Sequence, residues 1–130
     1  MRRAVSTTYY ALFHALAKDC ADRLIGTSQA RSQGAWRQVY RALEHGFAKN
    51  AGAQAEALGF PDSIVDFADT FTGLQEERHT ADYNPDSRYT LADARTLISR
   101  ADQDITDLRG TSNRDLAAFA ALVLLKRRSP

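Results

Sequence analysis

Large apolar residues recur every three or four positions along most of this chain, and no segment alternates apolar and polar residues as a strand does. The first such segment contains Val5, Tyr9, Leu12, Phe13, Leu16, Cys20 and Leu24. Gly26 follows it as a helix stop. A chain with this spacing buries its apolar residues by packing helix on helix. The sequence therefore predicts an all-α protein.

Two further helices follow in the first two thirds of the chain. The pattern resumes at Trp36 and continues to Phe47, which predicts one continuous second helix. Residues 50–59 are mostly Ala, Gly and Gln, which favours a loop or a weak turn of helix. The third helix opens at Pro61, where a missing N–H costs nothing. It is expected to stop near Tyr83, because a proline two residues later disfavours the α region.

Two more helices complete the predicted fold. Thr90 with Asp93, and Ser112 with Asp115, have the spacing of capping boxes and predict the starts of a fourth and a fifth helix. Gly110 separates the two helices. The apolar stripe of the fourth helix consists of Leu91, Ala94, Ile98, Ala101, Ile105 and Leu108. We predict a five-helix, up-and-down antiparallel bundle forming one domain over residues 1–130.

Composition narrows the classes of function. Seventeen basic and sixteen acidic residues give a net charge of +1, so any contact with RNA must be local, and sequence-specific DNA recognition is not expected. The single cysteine, Cys20, excludes an intramolecular disulfide and a cysteine-built zinc site, which agrees with a cytoplasmic location. No apolar run reaches the roughly 18 residues of a membrane span. Phosphate-binding loops and metal-ligand motifs are absent, so no metal or cofactor is expected.

Arg78 is the residue whose predicted position is hardest to explain by folding alone. It follows Ile64 and Phe71 at intervals of seven, which places it on the buried seam of the third helix. A guanidinium there needs an anion, a cleft or a subunit interface. Asp82, one turn later, is the obvious partner, although a carboxylate opposes the dipole at a helix C-terminus. The pair is either a structural contact, which residue chemistry alone favours, or an arginine held in a cleft for phosphate.

Two other groups of polar residues carry candidate chemistry. Ser6, Tyr10 and His14 lie four residues apart beside the apolar face of the first helix, where His14 is a candidate acid or base. Burial of the two rings against neighbouring helices is the commoner explanation. The second group is a basic ridge on the second helix, which is more often a solvated face than a phosphate site. It consists of Arg37, Arg41, His45 and Lys49.

Two segments resemble the HEPN superfamily of helical bundle domains, which are largely prokaryotic. They are Arg3–His14 (RAVSTTYYALFH) and Arg78–Tyr83 (RHTADY). The resemblance covers roughly residues 2–108 and leaves the fifth helix as an addition. It implies an up-and-down bundle, homodimerisation and, in many members, metal-independent RNA cleavage in a cleft between subunits. Many members are encoded beside a nucleotidyltransferase, and by this resemblance Tyr83 is a candidate site for nucleotide attachment.

The chain departs from the signature of the ribonuclease members, in which a histidine follows the arginine after a short interval. Here His79 is adjacent to Arg78, and Asp82 and Tyr83 occupy the expected places of the histidine and tyrosine. A carboxylate accepts a proton readily, but it is a poor acid near pH 7 unless its pKa is raised. This pattern therefore does not meet the signature of the ribonuclease members.

Three hypotheses follow from the sequence. In the first, the chain is an RNA-associated or toxin–antitoxin-type module in which Arg78 binds phosphate, Asp82 orients it, and Tyr83 and His14 line the cleft. In the second, it is a non-catalytic homodimeric module that binds a nucleotide or a protein. In the third, it is a metal-independent ribonuclease with His79 or His14 as the acid or base.

Overall fold

The computed structural model describes residues 2–83 and 91–126, except the side chains of residues 2, 79–83, 91 and 94. Every regular element in these ranges is an α-helix, which confirms the all-α prediction. The helices are α1 (Arg2–Ile25), α2 (Gln33–Ala42), α3 (His45–Gly52), α4 (Asp62–Tyr83), α5 (Leu91–Arg109) and α6 (Asn113–Leu124). None of the helices in this described part combines the length and the apolarity that a membrane crossing requires.

Helix α1 is the centre of the fold and packs against α2, α4, α5 and α6. Its predicted apolar face is buried from Val5 to Cys20. Gly26 ends the helix as predicted, with a φ of 107° that favours glycine. Leu24, however, is 48% exposed. Each step of four residues turns about 40° beyond a full helical turn, so the step from Cys20 to Leu24 carries the side chain off the buried face.

The second predicted helix is divided in the structure, so the described residues contain six helices where the sequence predicted five. Leu43 and Glu44 are extended and separate α2 from α3. Leu43 is buried at the break, and α3 buries Ala48 and Ala51, whereas α2 buries none of its residues. Burial in the tertiary structure has therefore outweighed local helix propensity. Helix α3 also continues to Gly52, into the segment predicted to be a loop or weak turn.

Helix α4 supplies the second large part of the core. Its predicted seam is buried, with exposures of 2% or less at Ile64, Phe67, Phe71 and Leu74. The helix begins just after Pro61, whose carbonyl accepts hydrogen bonds from the N–H groups of the first turn. The structure describes α4 as far as Tyr83, and residues 84–90 lie outside the described part, so the predicted stop near Tyr83 stays a prediction.

Helices α5 and α6 complete the fold. Ala101 and Leu108 are buried as predicted, but Ile98 is 43% exposed because it lines an open groove between α1 and α5. Ser112 caps α6 by accepting a hydrogen bond from the backbone N–H of Asp115, which confirms the predicted cap. The other predicted cap residue, Thr90, lies outside the described residues.

Candidate functional site

The Arg78 guanidinium lies against aromatic faces at the edge of the core. Its central carbon is 4.9 Å from the ring centroid of Tyr10 and 5.4 Å from that of Tyr9. Among the described residues, no carboxylate forms an ion pair with Arg78. The negative π faces attract the cation without accepting its in-plane N–H groups. Arg78 is half-buried, and its N–H groups form no hydrogen bond with the described side chains.

The register of α4 explains this position. Arg78 comes one turn after Leu74 and two turns after Phe71, both of which are buried. The Phe71 ring packs on Tyr9, with centroids 5.2 Å apart. The aliphatic part of Arg78 therefore lies along the core, and its guanidinium lies at the edge of the core. The prediction that Arg78 lies on the buried register holds, with the qualification that the residue is partly exposed.

His45, the first residue of α3, faces the same cluster. Its Nδ1 forms a hydrogen bond with the Tyr9 hydroxyl, and its ring stacks on Phe13 with centroids 3.9 Å apart. Burial, together with the charges of Arg78 and His14, lowers the pKa of His45 below its ordinary value. Burial also raises the pKa of Tyr9 to about 12, although the Arg78 charge opposes this. At neutral pH the tyrosine is protonated and the imidazole is mainly neutral.

His14 connects this cluster to α2. Its Nδ1 is 2.6 Å from the Tyr40 hydroxyl, and its ring stacks on both Tyr10 and Tyr40. Tyr40 in turn stacks on Trp36, with centroids 5.2 Å apart. The rings form a continuous series with a guanidinium at each end, which we call the aromatic ladder. Its members are, in order, Arg31, Trp36, Tyr40, His14, Tyr10 and Arg78.

The structure brings some of the predicted site residues together. Tyr10 and His14 belong to the ladder, and Tyr10 is 37% exposed. Ser6 is half-buried on the same helix and forms no hydrogen bond with the ladder among the described side chains. His79, Asp82 and Tyr83 were predicted beside Arg78, but their side chains lie outside the described residues. Their predicted roles as partner, base or attachment site therefore stay predictions.

The predicted basic ridge does not form. Arg37 and Arg41 are exposed on α2, but the break before α3 places His45 in the cluster with Tyr9. Lys49 lies 3.4 Å from a carboxylate oxygen of Glu76 on α4. The four residues share a face only if the helix is continuous, and the division between α2 and α3 removes that condition.

Sequence reasoning missed five members of the site. Tyr9 and Trp36 were assigned only to apolar faces, and Arg31 was not singled out. Tyr40 was assigned only to the apolar seam of the second helix, and His45 only to the basic ridge. No local signal marked the start of α3, because Glu44 is not a preferred N-cap residue and its side chain forms no capping hydrogen bond. Finding the pairing of His45 with Tyr9 required knowledge of the break, because the two residues are 36 positions apart.

Other parts of the described surface contain fewer groups suited to catalysis or to binding a charged ligand. A cavity of about 600 Å³ lies between α3 and α6, and its lining is mostly apolar. Lys126 is the one titratable residue in that lining. Within residues 2–83 and 91–126, no three His, Cys, Asp or Glu side chains come close enough to hold a metal ion. The Arg78 cluster is therefore the site on which we base a function.

Comparisons of the chain with protein families, with curated proteins and with solved structures find no match.

Proposed function

We propose that this chain is a HEPN-like, RNA-associated module of the toxin–antitoxin type that binds single-stranded RNA at Arg78. The guanidinium holds a phosphate, and the exposed edge of the Tyr10 ring contacts a neighbouring base. The observation that carries the proposal is the Arg78 guanidinium, which rests on two tyrosine rings and forms no ion pair with a described carboxylate.

The chemistry of the surrounding groups supports a phosphate as the ligand. Tyr9 and His45 are neutral near pH 7, so the positive charge of Arg78 is not cancelled within the described cluster. A planar guanidinium matches two phosphate oxygens, and charge-assisted hydrogen bonds of this kind are the strong ones. Aromatic platforms add affinity that tolerates different bases. With a net charge of +1, the protein has no strong overall positive field that would attract RNA nonspecifically.

Binding of a strand at Arg78 does not require either histidine of the site to transfer a proton. RNA cleavage without a metal needs one group to take a proton and another to give one. Nδ1 of His45 is occupied by Tyr9, and Nδ1 of His14 by Tyr40. Each imidazole thus has one nitrogen committed to holding a ring in place. The proposal assigns both histidines to shaping the site.

Binding of a labelled single-stranded RNA in the presence of a chelator tests the proposal. We expect Arg78→Ala to weaken binding about tenfold or more, because it removes charge-assisted hydrogen bonds to phosphate. Arg78→Lys keeps the charge but loses the planar fork, so it should restore only part of the affinity. Loss of one phosphate contact should also reduce the slope of log affinity against log salt by about 0.7.

Arg114→Ala is the matched control. Arg114 is an exposed arginine in the first turn of α6, and its removal changes the net charge by the same amount. Equal affinity of Arg78→Ala and wild type would contradict the phosphate role. If folded wild-type protein binds no RNA, the alternative of a non-catalytic homodimeric module for a protein or nucleotide replaces it. RNA cleavage that depends on Arg78 in chelator would make the chain a ribonuclease.

The resemblance to HEPN domains extends the proposal to assembly. The module acts as a homodimer, in an up-and-down HEPN-like bundle, with a nucleotidyltransferase as a candidate partner and Tyr83 as a candidate attachment site. The support for these features is the pair of segments Arg3–His14 and Arg78–Tyr83. Light scattering on the purified chain tests the dimer, and a monomer at the concentrations used for RNA binding would contradict it.

A further inference from the structure

A groove is lined by His14, Tyr40 and Trp36, the part of the aromatic ladder that is farther from Arg78. It lies between α1, α2 and α5 and has a volume of about 660 Å³. Pockets of about 300–1,000 Å³ are typical for small ligands, so the groove has room for a nucleotide. The lining residues that matter here are His14, Lys18, Trp36, Tyr40, Ile105 and Arg109.

The groove combines π faces with cations. Trp36 and Tyr40 stack at 5.2 Å with 27° between their planes, and both are half-buried. Arg109 is exposed, and no described carboxylate forms an ion pair with it. Lys18 is 60% exposed, and its contact with Asp22 at 3.1 Å uses one part of the ammonium. Aromatic platforms beside cations are the features that bind bases and phosphates of single strands.

The groove is also contiguous with the Arg78 site. The rings of Tyr40, His14 and Tyr10 follow one another with centroids 5.9 and 6.2 Å apart, and Arg78 lies over the last of them. His14 contacts both regions, because it stacks on Tyr10 and lines the groove. A strand whose phosphate is bound at Arg78 therefore reaches the groove without crossing another part of the surface.

We infer that this groove is a second subsite for the same RNA strand, in which a base contacts Trp36 and Tyr40 and a phosphate contacts Arg109. This inference rests on the proposed function and deepens it, since it makes the ligand a strand of several nucleotides. Arg78 and Arg109 then hold different phosphates of one strand, with His14 between them. Short oligonucleotides occupy the Arg78 site alone, and longer ones occupy both.

Trp36 provides a direct reporter, because it is the only tryptophan in the chain. We expect oligouridylate of about ten nucleotides to quench Trp36 fluorescence on binding, and a dinucleotide to quench it much less. Arg109→Ala should weaken binding of the longer strand about threefold to tenfold, with little effect on the dinucleotide. Its salt slope should fall by about 0.7 for the longer strand.

Arg95→Ala on the same helix is the control, because Arg95 is also exposed and lies outside the groove lining. Anisotropy of a labelled strand measures binding independently of Trp36. Binding that requires Arg78 but leaves Trp36 fluorescence and the Arg109→Ala affinity unchanged would overturn the second subsite alone. An absence of RNA binding by wild type would overturn both proposals. Circular dichroism of each variant verifies that the helices are intact.

Discussion

The two ends of the aromatic ladder carry the same cation in different surroundings. At one end, Arg31 lies 3.3 Å from an Asp22 carboxylate oxygen and donates to the Gly26 carbonyl at 3.1 Å. At the other end, Arg78 rests on tyrosine rings and forms no ion pair with a described carboxylate. Both guanidinium groups are half-buried and both contact a π face. The two ends differ because only Arg31 forms an ion pair with a carboxylate of a described residue.

At the Arg31 end of the ladder, Asp22 connects two parts of the fold. Its carboxylate also accepts a hydrogen bond from the Trp36 indole N–H at 2.9 Å and pairs with Lys18. Burial alone would raise the pKa of Asp22, but the hydrogen bonds from Trp36 and Lys18 and the charges of Lys18 and Arg31 lower it overall. One carboxylate thus joins α1 to the loop before α2. An arginine whose charge is already matched contributes to stability, whereas the proposed function uses an arginine that rests on neutral rings and pairs with no described carboxylate.

The largest expected change in the free energy of unfolding is at the Arg31 end, where the guanidinium pairs with Asp22. Asp22→Ala should lower the free energy of unfolding by about 2–3 kcal/mol, because it leaves a half-buried guanidinium and the indole N–H without their acceptor. Arg78→Ala should cost less than about 1 kcal/mol, since a cation–π contact at a partly exposed site is weak. Urea unfolding measures both. Lys18→Ala is the control, with an expected change below about 0.5 kcal/mol for an exposed pair. Equal losses in Asp22→Ala and Arg78→Ala would remove the distinction between the two ends.

A smaller effect is expected within the Arg78 cluster. Tyr9→Phe should lower the free energy of unfolding by about 1–2 kcal/mol, because it leaves Nδ1 of His45 without its partner in a partly buried site. Tyr40→Phe is the matched control and should cost about 0.5 kcal/mol or less, because its hydrogen bond with His14 is exposed to water. Thermal or urea unfolding of the two variants makes the comparison. A larger loss in Tyr40→Phe would contradict the importance of the Tyr9–His45 pair.

The smallest effect is electrostatic and sharpens the assignment of Arg78. The folded protein holds the pKa of His45 below its ordinary value of 6.5, by burial and then by the charges of Arg78 and His14. The stability that this shift contributes is present above pH 6.5 and is lost as the pH falls through the lower folded pKa. Removing Arg78 should therefore raise the pKa of His45 toward 6.5 in an NMR titration. Arg114→Ala should leave it unchanged. A pKa of His45 that does not respond to Arg78→Ala would contradict their electrostatic coupling.

Several parts of the fold followed from local patterns alone. The buried seam of α4 from Ile64 to Leu74 was predicted from spacing, because burial of a regular stripe repeats with the helical turn. The Ser112 cap and the stop at Gly26 were predicted because each depends on a side chain or a φ angle at one position. The same register predicted Arg78 on the buried seam, whereas the structure leaves it half-buried at the edge of the core.

Local sequence patterns could not predict the break between α2 and α3. Residues from Trp36 to Phe47 have helical spacing throughout, and nothing at Leu43 disfavours a helix. The helix ends there, and the extended Leu43 is buried. That single change moved His45 from an expected exposed ridge to a hydrogen bond with Tyr9.

The sequence by itself determined that this protein is helical, which face of α4 is buried, and that one arginine continues the register of that face. Those properties depend on spacing within a helix. Only the tertiary structure decided that His45 and Tyr40 join Tyr10 and His14, and that one guanidinium is paired with a carboxylate while the other rests on rings. Such contacts join residues far apart in the chain, and their energies depend on packing that no local pattern contains.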